Sequence, residues 1–328
     1  MTVALALLLA AAAPTGELSN GRISLSYYLP DAAAGYYRGT RFDWAGLVSR
    51  LEYRGQRFYG PWYDRIDPAV RDFTDTPDAI TVGTNSSAMG PAEEFAAIGY
   101  DEAAPGATFL KIGVGLLRRA DDKPYNQFRS YDVADAGQWS VAADRRHVSF
   151  TQTLRDRGSG YGYVYTKTLR LVAGKAELRV EHVLRNTGQR MIAADVYSHN
   201  FLVTGLNTGP DFAITAPYAI TNAPPRSAAL ATVTGHRVGF TRPLTPGERV
   251  FMPVEGKGPY DFRVENLRTG AGFTVKGDRP IERVVLWSIR TTISLEPFIA
   301  IRAAPGQETR WSYRYRYFAP ASRRRPRH

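Results

Sequence analysis

The feature that most constrains this chain is an alternation of period two. In Glu177-Leu178-Arg179-Val180-Glu181-His182-Val183-Leu184-Arg185-Asn186, charged and apolar residues take turns, as in a strand with one wet and one buried face. The same rhythm runs through 22–29, 46–53, 147–154 and 161–172. Nowhere does an apolar period of 3.6 persist for ten residues, so amphipathic helices are not expected. Thirty glycines and 21 prolines divide the strands with turns, of which Arg54-Gly55-Gln56, Gly158–Gly162, Gly174-Lys175 and Thr187-Gly188-Gln189 read as hairpin connections. Residues 109–118 read as one inner strand, and further strands are expected near 211–214, 249–253, 260–266, 272–276, 283–289, 294–299 and 310–318. Residues 64–108, rich in Asp, Pro, Gly, Ala and Glu, read as a long irregular segment lining or covering a cleft. These signals predict an all-β chain: one large antiparallel β-sandwich over residues 17–320, bigger than an immunoglobulin module.

Composition excludes several chemistries. With no cysteine, the chain has no disulfide, no thiolate metal site and no cysteine nucleophile. The five histidines show no HxH or HxxxH spacing, so neither a metal nor another cofactor is expected. There is no phosphate-binding glycine loop, no GxSxG and no dinucleotide fingerprint. The N-terminal run Met1–Ala13 is apolar and ends in small residues, the pattern of a signal peptide over residues 1–16. That predicts a periplasmic or secreted protein; read instead as an apolar N-terminal arm, the run leaves the chain cytoplasmic. No stretch reaches the about 18–20 apolar residues of a membrane span, so stable membrane insertion is not expected. The net charge is +11, and four of those charges are arginines in the tail 321–328, which reads as a solvated, disordered end. The body lacks the motifs of a nucleic-acid-binding protein, and nucleic acid is not an expected partner.

Within the strand-like run Asp195–Leu202 sits His199, and 97 residues later Glu296 stands in the apolar run Ile293–Ile299. A histidine–carboxylate pair can take a proton from one oxygen and give one to another. By residue type alone, His199 is as well explained as a structural strand histidine and Glu296 as an outward-facing carboxylate. Arg118 ends an apolar run, and its forked donors suit sugar hydroxyls or solvent equally. Lys111 is a further cationic candidate. Glu93 and Glu94 lie in the irregular segment, either at the cleft or as a solvated pair. Asp43-Trp44 and Trp62-Tyr63 offer aromatic faces for sugar rings, or core.

Four segments together resemble the galactose mutarotase-like family of aldose 1-epimerases and hexose-6-phosphate epimerases. They are Gly39–Leu51 with Gly55; Gly113–Arg118; Tyr197-Ser198-His199-Asn200-Phe201-Leu202; and Leu295-Glu296-Pro297-Phe298 followed by Ala304-Pro305-Gly306-Gln307-Glu308 and a last strand. The resemblance spans most of residues 20–318 and implies the β-supersandwich fold. It implies a metal-independent isomerase acting on a mono- or oligosaccharide, with Glu296 as base and His199 as acid. The substrate-binding candidates are then Arg118, Lys111, Glu93, Glu94, Asn200, Tyr197, Trp44 and Asp43. Val114 stands where the epimerases carry a first histidine, and Gly90–Phe95 replaces an arginine-bearing segment. The alternatives on the same scaffold are a glycoside hydrolase, a polysaccharide lyase or a carbohydrate-binding protein without activity.

Overall fold

A computed structural model describes residues 12–203, 207–221 and 229–321. Among these there are 25 strands and no helix, so the period-two rhythm is read out almost literally. The first eleven residues of the expected leader lie outside the described residues, as does the arginine tail from Ser322 on. The first strand already begins at Thr15 and pairs with Ser24–Tyr28.

Two sheets carry the architecture. A ten-stranded antiparallel sheet has at its centre Gly162–Leu171, Glu177–Asn186, Glu308–Phe318 and Ala271–Gly277. A five-stranded sheet runs in the order Val250–Pro253, Arg283–Ile289, Thr292–Ala303, Ile192–His199, Ala92–Phe95. Every pairing in both is antiparallel. The core forms where the inner faces meet. Trp311, Tyr313, Tyr315 and Tyr317, every second residue of one strand, are all buried. Phe95 of the smaller sheet sets its ring edge-on to Tyr165 and Trp311, and Tyr315 donates to Ser198 Oγ at 3.2 Å. Burying a side chain of this size contributes roughly 1.5–3 kcal/mol. Because side chains alternate, the opposite face of the five-stranded sheet is left for something else.

The structure departs from the sequence reading at three places. Residues 109–118 are not one strand but a hairpin, Thr108–Lys111 with Gly115–Arg118. Gly113 makes the turn with φ 77°, at a point where a Cβ would meet the Asp43 carboxylate at 2.3 Å. The turn at 187–189 does not close a hairpin within one sheet. It hands the chain from Glu177–Asn186 in the large sheet to Ile192–His199 in the small one. Finally, 64–108 is not wholly irregular, since Ala92–Phe95 is the edge strand of the five-stranded sheet.

Two adjacent glutamates are poor strand formers, and here each has a reason to be buried. Glu93 turns inward, where Lys167 Nζ donates to its Oε2 and His182 Nε2 lies 3.5 Å from its Oε1. Lys167 also lies 3.8 Å from Asp43 Oδ2, which accepts from Tyr165 Oη at 2.8 Å. Burial raises the Glu93 pKa, but Lys167 and His182 outweigh it and bring it down to about 2. Burial dominates at Asp43 and pushes its carboxyl up to about 7, against the pull of Lys167. Removing one partner from such a cluster leaves an uncompensated charge in the interior. Lys167→Met is therefore expected to lower stability by about 3–5 kcal/mol in urea denaturation at neutral pH. Glu93→Gln added to it should restore most of the loss, and a double variant as unstable as the single one contradicts this account.

Candidate active site

The outer face of the five-stranded sheet floors a cleft of about 420 Å³. Its floor follows from alternation: Tyr197 and His199 from one strand, Glu296 and Phe298 from the next, and Val285 and Trp287 from the third. Segments outside the sheet supply the walls, among them Arg41, Phe42, Trp62 and Phe128.

Register brings the two distant residues together. Val196 pairs with Ile299 and Tyr197 with Phe298, so two residues further along the same register His199 falls opposite Glu296. His199 Nε2 lies 3.1 Å from Glu296 Oε1, with only 4% and 6% of the two side chains exposed. The contact lies off the hydrogen-bond axis, since Glu296 Oε1 has no hydrogen-bond partner among the described residues, and neither has His199 Nδ1.

Aromatic rings desolvate the imidazole. Phe201 stacks on it at 3.7 Å, and Trp287 and Phe42 meet it edge-on at 5.0 and 5.7 Å. Phe201 holds this place with φ 39°, a left-handed conformation uncommon for a bulky residue. Burial pushes the His199 pKa well below its ordinary 6.5, and the nearby Arg41 charge pushes it further. Burial lifts the Glu296 carboxyl to about 8, although Arg41 and Ser294 oppose it. At neutral pH the pair is thus a neutral imidazole beside a protonated carboxyl, with one exchangeable proton on Glu296.

Beside them is a charged wall. Glu94 accepts from Arg41 Nε at 2.6 Å and from Tyr197 Oη at 2.5 Å, with Lys111 Nζ at 3.4 Å. Arg41 also donates to Tyr197 Oη at 2.9 Å. Burial raises the Glu94 pKa, but Arg41 and Lys111 outweigh it and hold the carboxylate below its ordinary value. Lys111 is itself lowered by burial, against the pull of Glu94, and donates to Tyr125 Oη at 3.0 Å.

The structure therefore brings His199, Glu296, Tyr197 and Trp62 to one cavity. Glu94 bonds to two of its lining residues, Arg41 and Tyr197, but itself lines the adjacent cavity, with Lys111 beyond it. The other expected binding residues are elsewhere, and alternation is the main reason. Glu93 and Asp43 belong to the inner Lys167 cluster. Asn200 turns away from the cleft to donate to the backbone oxygen of Leu295 at 2.7 Å. Trp44 is buried and donates to the carbonyl of Gly39 at 2.8 Å. Arg118 is exposed and donates to the carbonyl of Gly106 at 2.6 Å. Val114 packs in the outer hydrophobic cluster under the cleft walls. Arg41 and Trp287 were missed as site residues. Trp287 was legible, because its strand pairs with that of Glu296 and Arg283, Val285 and Trp287 alternate. Arg41 lies in a loop without regular spacing, and no local signal points to it. No group of three or more His, Asp or Glu placed to hold a metal ion occurs among the described residues.

No protein-family profile matches the chain, and no curated protein matches it in sequence. Solved structures do match in shape. The Slr1438 protein of Synechocystis superposes with a TM-score of 0.55 at 12% identity, over 97% of this chain and 100% of that one. A galactose mutarotase related enzyme from Lactobacillus acidophilus gives 0.53 at 10% identity, over 94% and 98%. A galactose mutarotase-like protein from Lactobacillus casei gives 0.53 at 13%, over 93% and 100%. This chain has the galactose mutarotase-like fold. At such identities the likeness is one of fold, and the reaction must be argued from the site.

The Glu296 shift has a consequence for stability. A carboxyl whose pKa is higher folded than unfolded holds its proton more tightly in the folded state, so stability falls as pH rises from about 4.5 to about 8. Glu296→Gln removes this loss. The variant is expected to gain on the order of a few kcal/mol relative to wild type above pH 8, and much less below pH 4, in urea denaturation. A stability difference independent of pH contradicts a buried, protonated Glu296.

Proposed function

We propose that this chain is a carbohydrate-active enzyme that interconverts the anomers of a free sugar, an aldose 1-epimerase type of reaction. The observation that carries the reading is the His199–Glu296 pair, a neutral imidazole 3.1 Å from a protonated carboxyl on the floor of an aromatic-walled cleft. Interconversion needs that equipment. A base removes the proton of the anomeric hydroxyl while an acid protonates the ring oxygen. The bond from the anomeric carbon to the ring oxygen breaks, and an open-chain aldehyde forms. Rotation about the adjacent carbon–carbon bond and the reverse proton transfers close the other anomer. Nothing is oxidised, and no cofactor is consumed.

The resemblance implies Glu296 as base and His199 as acid. The resting charges favour the converse, with neutral His199 accepting the hydroxyl proton and Glu296 donating its own. Arg41 and Trp287 supply hydroxyl-binding and ring-packing surfaces beside them. Hydrolysis of a glycoside calls for two working carboxyl groups. Glu94 is tied to Arg41, Tyr197 and Lys111 and lines the adjacent cavity, so it is less suited to be the second, and the one other carboxyl lining the cleft is Asp72, which burial raises against the pull of Arg41 and Arg249.

Polarimetry on freshly dissolved α-glucose and α-galactose tests the reading. Wild type should speed the approach to equilibrium over buffer, and His199→Ala or Glu296→Gln should lower kcat/KM roughly 100- to 10,000-fold. With Glu296 as the acid, activity falls as pH rises through about 8. Activity that rises through that range returns Glu296 to the role of base. No acceleration by wild type with any aldose sinks the proposal.

A further inference from the structure

A second cavity of about 690 Å³ lies on the same face of the five-stranded sheet. It shares Gln127, Tyr197, Arg283 and Phe298 with the candidate cleft, so the divider is a single layer of side chains. That layer is built as a ridge. Tyr197 stacks on Phe298 at 4.3 Å, the Arg283 guanidinium lies 3.7 Å from the Phe298 ring centre, and Asp195 anchors Arg283 at 2.8 Å. The floor continues along one strand, from His199 through Tyr197 and Asp195 to Ala193. Six residues of strand span roughly 20 Å, more than one sugar ring occupies.

The lining says what kind of occupant fits. Asp101 and Glu102 are exposed at its rim and carry no ion pair among the described residues. Arg190 lies against Tyr161 at 4.5 Å, and both Arg190 and Glu102 act electrostatically on that tyrosine. Carboxylates outnumber guanidinium groups here, four (Glu94, Asp101, Glu102, Asp195) to two (Arg190, Arg283), which disfavours an anionic ligand. Acceptors and forked donors side by side instead match adjacent hydroxyl groups, each of which both donates and accepts.

We infer that this second cavity is a binding subsite for the next sugar unit of a neutral oligosaccharide whose reducing-end ring occupies the His199–Glu296 cleft. The inference rests on the reading of that cleft as a saccharide site, and it narrows the substrate from a free monosaccharide to a chain of two or more units. The ridge of Tyr197, Phe298 and Arg283 then lies beneath the glycosidic linkage, and Asp101 and Glu102 accept from hydroxyls of the second ring.

Isothermal titration calorimetry on the full chain tests this, with glucose and galactose compared against cellobiose, maltose and lactose. At least one disaccharide should bind about tenfold or more tightly than either monosaccharide. Ala193→Phe, which fills the second cavity from an exposed strand position, should bring that disaccharide down to the monosaccharide affinity. Asp101→Ala should reduce the gain by a smaller factor, and as an exposed loop change it remains informative if Ala193→Phe fails to fold. Equal affinity for mono- and disaccharides, or a gain unmoved by both substitutions, overturns the inference while leaving the epimerase reading intact. Tight disaccharide binding without any change in optical rotation leaves the subsite standing and removes the epimerase reading. No binding of any of the five sugars overturns both.

Discussion

The register between Ile192–His199 and Thr292–Ala303 decides whether this protein has a site at all. Side chains in a strand alternate strictly, so a slip of one residue would turn His199 or Glu296 into the inter-sheet core and put Ser198 or Leu295 into the cleft. The register is held from both sides. On the inner face Val196 and Ile299 are completely buried against the large sheet. At the strand's end the Asn200 amide donates to the Leu295 carbonyl, and its backbone N–H donates to Ser294 Oγ at 2.9 Å. Asn200 is therefore a brace for the pair and not a ligand group.

Alternation also explains how Glu93 and Glu94, neighbours in sequence, belong to two different systems. Glu93 faces Lys167 in the core, and Glu94 faces Arg41 and Lys111 on the outer face, beside the cleft. Each strand side has its own cations, supplied by different segments of the chain. Such buried clusters add little net stability over apolar packing, because desolvation offsets the attraction. What they provide at the cleft is a fixed environment. Burial is the leading influence on the Glu296 carboxyl; the positive charge of Arg41 opposes it and the negative charge of Glu94 adds to it in smaller measure.

Much of the fold was legible because it is written in one dimension. Period-two runs and glycine turns located most strands of both sheets. The Arg54-Gly55 turn has φ 51° and 76°, the positive pair that a tight hairpin demands. What failed was whatever depended on a third dimension. The hairpin hidden in 108–118 was masked because both arms are largely apolar and buried, leaving only Gly113 and Gly115 to mark the break. The edge strand Ala92–Phe95 was masked because its glutamates read as solvent-seeking until their cations are placed. In the site, His199 and Glu296 stood out as polar residues in apolar runs. Glu93, Asp43 and Trp44 have the same local appearance yet serve the core, and composition cannot tell the two faces of a sheet apart. Arg41 could not be found locally, since its importance lies in Glu94 and Tyr197, 53 and 156 residues away.

The left-handed Phe201 ties these strands of reasoning together. A bulky side chain at φ 39° is retained only where its surroundings over-determine it. Here Phe201 stacks on His199 at 3.7 Å and lies parallel to Trp62 at 5.5 Å, closing one side of the imidazole to water. A histidine so enclosed does not take up a second proton near neutral pH, and a carboxyl so enclosed does not easily release its own. The local strain after the strand, the aromatic wall and the direction of both pKa shifts therefore have one origin. Excluding water from this corner keeps both groups uncharged, an imidazole with a free acceptor nitrogen in contact with a carboxyl that still has a proton to give.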